Sequence, residues 1–146
     1  MCERSFASRN QCLKRCPIGS AAARAGEASV CFSTQAEATL LFPFDHSDGA
    51  HVGVALANPG TIQPAGVEAR VWDEQWQELA VYSLNLPEGG HSAFPLTQIA
   101  AAVSGRRGFV EFQCRDGGKV LELALQFDAN GGFNVIPKLL TVRAPE

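Results

Sequence analysis

The chain has 146 residues, 46% of them hydrophobic and 18% charged, with a formal net charge of −3. That length suits one domain with or without a tail, and the hydrophobic fraction is enough for a real core. The small negative charge gives no electrostatic footing for nucleic acid, and no run of about 18 apolar residues exists to span a membrane.

Charge and cysteine are unevenly spread. Residues 1–37 carry five Lys/Arg against three acidic residues, so an acidic remainder follows a slightly basic head. Cys2, Cys12, Cys16 and Cys31 lie in that head and only Cys114 lies beyond it, which rules out a disulfide within the body. The head is rich in Ala, Ser, Arg and Gly and shows no sustained period, so residues 1–37 read as a flexible leader or linker. Arg24 and Glu27 interrupt the Ala-rich stretch before "QAEA", which argues against a secretory signal there. Cys12 and Cys16 are spaced as one zinc pair, but Cys2 and Cys31 are isolated, so zinc is not expected.

From residue 38 the period is two. "ATLLFPF" (38–44) is a short apolar run. "HVGVALAN" (51–58) sets Val52, Val54 and Leu56 against Gly53, Ala55 and Ala57. "VEARVWD" (67–73) sets Val67, Ala69 and Val71 against Glu68, Arg70 and Trp72, and "ELAVYSLNL" (78–86) follows a polar turn. "PLTQIAAAV" (95–103) is the one helical segment, with Leu96, Ile99 and Val103 on a common face. "FVEFQC" (109–114) points Val110, Phe112 and Cys114 inward. "VLELALQF" (120–127) sets Leu121, Leu123, Leu125 and Phe127 against Glu122 and Gln126. "FNVIP" (133–137) ends the set. Such alternation marks strands with one buried face. "RDGGK" and "DANGG" are turn chemistry, and they predict an antiparallel meander of 109–114, 120–127 and 133–136.

The expected fold is therefore all-β: an antiparallel sandwich, immunoglobulin-like or jelly-roll-like, of seven to eight strands over 38–142 with a short tail at 143–146. "NPGTIQPAG" and the helical segment read as connections between the two sheets.

Candidate chemistry is sparse. "DHSDGAH" holds Asp45, His46, Asp48 and His51, which could hold a metal or shuttle protons, with His91 as the remaining histidine. The D-G pair between two strands makes a solvated turn the preferred reading, with a metal site at His46, Asp48 and His51 as the alternative. Cys114 reads as an inert packing residue, and Arg106–Arg107 as a solvated strand start. No serine has a nucleophile-elbow context, so no catalytic residue and no cofactor are expected. Trp72, Trp76 and Tyr82 stand out as aromatics that can stack on sugar rings if exposed.

The ordered set "LLFPF", "HVGVALANPG", "LPEGGHSAFPL", "RRGFVEFQC" and "VLELALQFDANGGFNVIP" resembles a β-sandwich domain recurrent in large secreted or surface proteins of environmental, acidobacteria-like bacteria. The resemblance covers residues 39–137 and implies an extracellular, non-enzymatic accessory, spacer or adhesive module. Its expected partners are other domains of a larger surface protein, or a glycan. It supplies no catalytic residues, and it makes "ALAN" and "LPEGG" structural. Two alternatives remain: a carbohydrate-binding module using Trp72, Trp76 and Tyr82, and a small metal-dependent enzyme centred on His46, His51 and His91.

Overall fold

The computed structural model describes residues 35–60, 65–115 and 117–139. Of the segment 1–37 read as a leader or linker, residues 1–34 lie outside them, as does the 143–146 tail. Among the described residues there are eight strands: β1 (Thr39–Asp45), β2 (His51–Ala57), β3 (Ala65–Asp73), β4 (Glu78–Leu86), β5 (His91–Pro95), β6 (Arg107–Cys114), β7 (Leu121–Phe127) and β8 (Phe133–Val135). They form two antiparallel four-stranded sheets, ordered β1-β6-β3-β4 and β5-β2-β7-β8. The chain is an all-β sandwich, as its alternation predicts.

Alternation places the core. Leu40, Phe42 and Phe44 of β1, Val52, Val54 and Leu56 of β2, and Val67, Ala69 and Val71 of β3 all point inward and are buried. Val110 and Phe112 of β6 do the same. Phe112 stacks on Phe42 at 5.7 Å within its own sheet and meets Phe94 of the other at 6.4 Å. At Gly108, β6 runs so close to β3 that a Cβ would lie 2.9 Å from Asp73 Cα, and its register partner on β1 is buried Phe44.

The connection between β5 and β6 crosses from one sheet to the other, and it is shorter as a helix than predicted. One turn, α1 (Leu96–Ile99), ends at extended Ala100 (φ −148°, ψ 82°), and a 3₁₀ turn at Ala101–Val103 completes it. Leu96, Ile99 and Val103 are buried, so the predicted face holds although the helix breaks.

Two corrections concern the last strands. The predicted meander is not formed. Of its three strands only β7 and β8 pair with each other, because β6 already has β1 on one edge and β3 on the other. "RDGGK" therefore links two sheets rather than two neighbours. The leucines of β7 also face outward, not into the core. Pairing with β2 sets this phase: Val54 lies opposite Ala124 and Leu56 opposite Glu122, while Ala55 and Ala57 lie opposite Leu123 and Leu121. Paired residues share a face, so bulky Val54 and Leu56 inside leave room for Ala124, and the small residues of β2 outside take the leucines. Phe127 likewise lies over Gly53, where a Cβ would meet its ring at 3.1 Å. The result is an apolar outer face with a concavity of about 310 Å³ lined by Ala55, Ala57, Ala93, Leu121 and Leu123, among others.

Ends of the sandwich are fastened by polar groups. The Asn58 side-chain amide is buried and donates to the carbonyls of Leu86 (3.2 Å) and Pro87 (3.3 Å), while its oxygen accepts from Gly60 N–H at 2.9 Å. "ALAN" and "LPEGG" thus lock to each other. Glu37 and Val120 exchange two 2.9 Å backbone bonds just ahead of β1 and β7. Beside them Lys138 pairs with Glu37. Burial pushes the Glu122 carboxyl up from its ordinary pKa, against a lowering by Lys138 and with a further raising by Glu37.

The phase of β7 has a direct test. Ala124→Asp places an unpaired charge in the core and should cost more than about 3 kcal/mol in urea unfolding. Leu123→Asp, on the half-buried outer face, should cost only about 1–2 kcal/mol. The opposite ranking would put the leucines back inside.

Candidate functional site

The β3–β4 turn and the adjoining end of β6 hold the most distinctive cluster. Asp73 organises the turn. Its N–H donates to Gln77 O at 3.0 Å, its carbonyl accepts from Trp76 N–H at 3.0 Å, and its Oδ1 accepts from the N–H groups of Gln75 and Gln77, both at 2.9 Å. These bonds hold Trp76 at φ 59°, a left-handed conformation that hairpins of this kind usually give to glycine. A bulky residue there stores strain of order 1 kcal/mol or more.

The strained backbone aims the indole at β6. Trp76 lies parallel to Phe109, with centroids 4.8 Å apart and planes at 6°, and Trp72 tilts against it at 5.9 Å and 56°. Trp72 and Phe109 are register partners on the outer face of their sheet. Trp76 keeps 58% of its surface exposed, so one ring face is buttressed and the rest is open. The outcome is an aromatic platform.

A polar concavity of about 450 Å³ opens at the same turn, lined by Ser47, Asp73, Glu74, Gln75, Arg106 and Arg107, with Gly105. Arg106 Nη1 lies 3.7 Å from Asp73 Oδ2, and Arg107 Nε donates to Asp45 Oδ2 at 2.8 Å. Arg107 Nη2 also reaches Ser47 Oγ at 3.1 Å. Arg106 and Arg107 are thus both engaged with carboxylates. Burial alone would raise the Asp45 carboxyl, but the Ser47 hydroxyl and N–H and the Arg107 guanidinium outweigh it and hold the group below its ordinary range. On the other side of Arg107 a second concavity of about 420 Å³ has a mostly aliphatic and aromatic wall, including Pro43, Phe109, Val135, Ile136 and Pro137.

The three aromatics singled out in the sequence are not brought together. Trp72 and Trp76 meet, but Tyr82 is opposite Ala69, whose side chain is fully buried, so Tyr82 belongs to the inner face of the same sheet. Phe109, not singled out, completes the platform. Its signal was available: if Val110 and Phe112 point inward, Phe109 points outward, as Trp72 does by the same parity against Val71.

His46, Asp48 and His51 do not converge. His46 is only 5% exposed, so it is not part of a solvated turn; its Nε2 accepts from Val52 N–H at 3.0 Å. The neutral ring therefore carries its proton on Nδ1. Asp48 takes a left-handed turn conformation (φ 52°), and exposed His51 stacks on Phe127 at 4.9 Å. His91 is exposed on β5. Among the described residues no group of three His, Cys, Asp or Glu side chains is placed to hold a metal ion. Cys114 is partly buried, with its Sγ 3.9 Å from Glu37 O, and burial pushes its thiol up. Such a thiol has little thiolate character.

Comparison with known protein families, with characterised proteins and with solved structures finds no match.

Burial lowers the His46 pKa from its ordinary 6.5, and His51 adds to the lowering while Asp45 opposes it. Below pH of about 6.5 the unfolded chain then binds more protons at this site than the folded one. Stability from the neutral ring is complete above that pH and is lost as pH falls through the folded value. His46→Gln, which keeps an acceptor for Val52 N–H, should lose about 1 kcal/mol at pH 7.5 and show a shallower fall in melting temperature between pH 7 and pH 5 than the parent. Equal slopes would remove His46 from the acid sensitivity.

Proposed function

We propose that this chain is a non-enzymatic β-sandwich module of a secreted or cell-surface bacterial protein, and that its contact surface for a glycan is the Trp72–Trp76–Phe109 platform. One observation carries the reading: Trp76 is held in a strained left-handed backbone, stacked flat on Phe109 and left 58% exposed. A fold tolerates such strain where the surroundings over-determine it, and that pattern is typical of binding sites. A pyranose ring presents an apolar C–H face that stacks on an indole, and its hydroxyl rim needs close donors and acceptors. Glu74, Gln75 and Arg106 supply them from the concavity at that turn.

The non-enzymatic part rests on how the titratable groups are used. His46 accepts a backbone bond, Asp73 shapes a turn, and Asp45 is held by Ser47 and Arg107. Each is engaged in bonds that shape the fold. The secreted or surface setting, as part of a larger protein, rests on the ordered segments from "LLFPF" to "FNVIP" and their resemblance to a surface-protein module.

A glycan array followed by affinity electrophoresis tests the reading. Trp76→Gly removes the ring and suits the φ of that position, so it should keep the melting temperature within a few degrees. Its affinity for the retained polysaccharide should fall about tenfold or more, as for loss of a central aromatic anchor. Tyr82→Ala should leave binding unchanged. Retention that survives Trp76→Gly, or an array with no signal, would remove the glycan reading.

A further inference from the structure

The two sheets have four outer edges, and three of them are guarded. On β1, Pro43 lacks an N–H, and Leu139 N–H already donates to Leu41 O at 2.6 Å. β5 has five residues and ends at Pro95, and β8 has three. Short strands, prolines and covering segments are the usual protection against edge-to-edge pairing.

The fourth edge, β4, is neither short nor broken by proline, and among the described residues no other backbone segment pairs with its outer side. It runs nine residues with no proline and a single charge, Glu78, at its first position. Register skips Leu79, since Val71 faces Ala80 and Trp72 faces Glu78, so a bulge lies at that end. Beyond it Ala80–Leu86 is an uninterrupted, uncharged ladder against β3, and among the described residues no strand pairs with its outer side. Tyr82 is the telling residue. Its partner Ala69 is fully buried on the inner face, yet Tyr82 itself is 41% exposed, and neighbouring Val81 is 47% exposed. An inner-face aromatic is left open at this edge.

We infer that β4 pairs antiparallel with β4 of a second copy of this chain, about a two-fold axis at Ser83. The segment is self-complementary in that register. Ser83 meets itself, Tyr82 meets Leu84 of the second copy, and Val81 meets Asn85. Within Ala80–Leu86 no charges face each other; the two Glu78 residues lie at opposite ends, each in line with Glu88 of the second copy beyond the paired segment. Tyr82 and Leu84 share the inner face, so each Tyr82 ring gains an apolar neighbour on the side now open. The two β1-β6-β3-β4 sheets become one continuous eight-stranded sheet. A two-fold axis normal to that sheet would also set both Trp76 platforms on one side; this consequence rests on the glycan reading, whereas the pairing does not.

Sedimentation equilibrium of the full chain under reducing conditions, over about 1–500 µM, tests the inference without any sugar. The parent should show a reversible monomer–dimer equilibrium. Ser83→Lys and Ser83→Glu each put like charges face to face on the axis, and each should weaken the dimer about fivefold or more with unchanged circular dichroism. An equimolar mixture of the two should recover dimer as a mixed pair. In the parent, amide exchange in Ala80–Leu86 should slow as concentration rises, a readout that needs no variant. A parent that stays monomeric to the highest concentration overturns the inference. So does a dimer unaffected by either charge, or a mixture that does not recover it.

Discussion

Phe112 sits where the two sheets meet. It is wholly buried in β6, stacks on Phe42 of β1 and touches Phe94 of β5 across the interior. The contact needs β6 in the middle of its sheet with even-numbered residues inward, and that parity fixes everything beside it. Val110 then faces the core, Phe109 faces out, and Gly108 must be glycine because Trp72 and Asp73 run against it. The interior is thus a packed layer of phenyl and aliphatic groups. The platform on the outer surface is the reverse side of the same strand.

The platform also depends on the polar fastenings at that end of the sandwich. Gln126 of β7 donates to Asp45 O at 2.6 Å and so ties the second sheet to the end of β1. Asp45 holds Arg107, and His46 exchanges backbone bonds with Arg106 and Gly105. Arg106 in turn lies beside Asp73, which shapes the Trp76 turn. The "DHSDGAH" segment therefore acts through position. It sets the β5–β6 connection against β1 and brings Arg106 and Arg107 to the concavity at the Trp76 turn.

Most of the fold was legible because four of the strands (β1, β2, β3 and β6) alternate with one apolar face. β7 misleads because its leucines mark the more hydrophobic face, and hydrophobicity alone assigns that face to the core. What decides is side-chain volume against β2: Val54 and Leu56 leave room inside only for Ala124 and for Glu122, whose charge has Lys138 nearby. That fit is between segments distant in sequence. The meander misleads for a related reason, since a Gly-rich turn can join neighbours in one sheet or strands in two. At the site, Trp72 was legible from parity, and Phe109 could have been. Tyr82 is assigned to the opposite face only once its partner Ala69 is known.

Both departures from ordinary design fall on one hairpin. Its turn carries a tryptophan where glycine would be relaxed, and its second strand carries no charge over Ala80–Leu86 where edge strands usually do. Each carries a cost in the monomer, offset for Trp76 in part by its stacking on Phe109. The first stores strain, and the second leaves Tyr82 and Val81 in water. Elsewhere the chain follows the protective rules, with Pro43 and Leu139 on β1 and Pro95 at the end of β5. An otherwise guarded sandwich with two unfavourable features side by side is explained most simply by contacts outside the monomer. In the proposed readings the turn presents its aromatic face to a glycan, and the strand presents backbone groups and an apolar margin to the strand of a second copy.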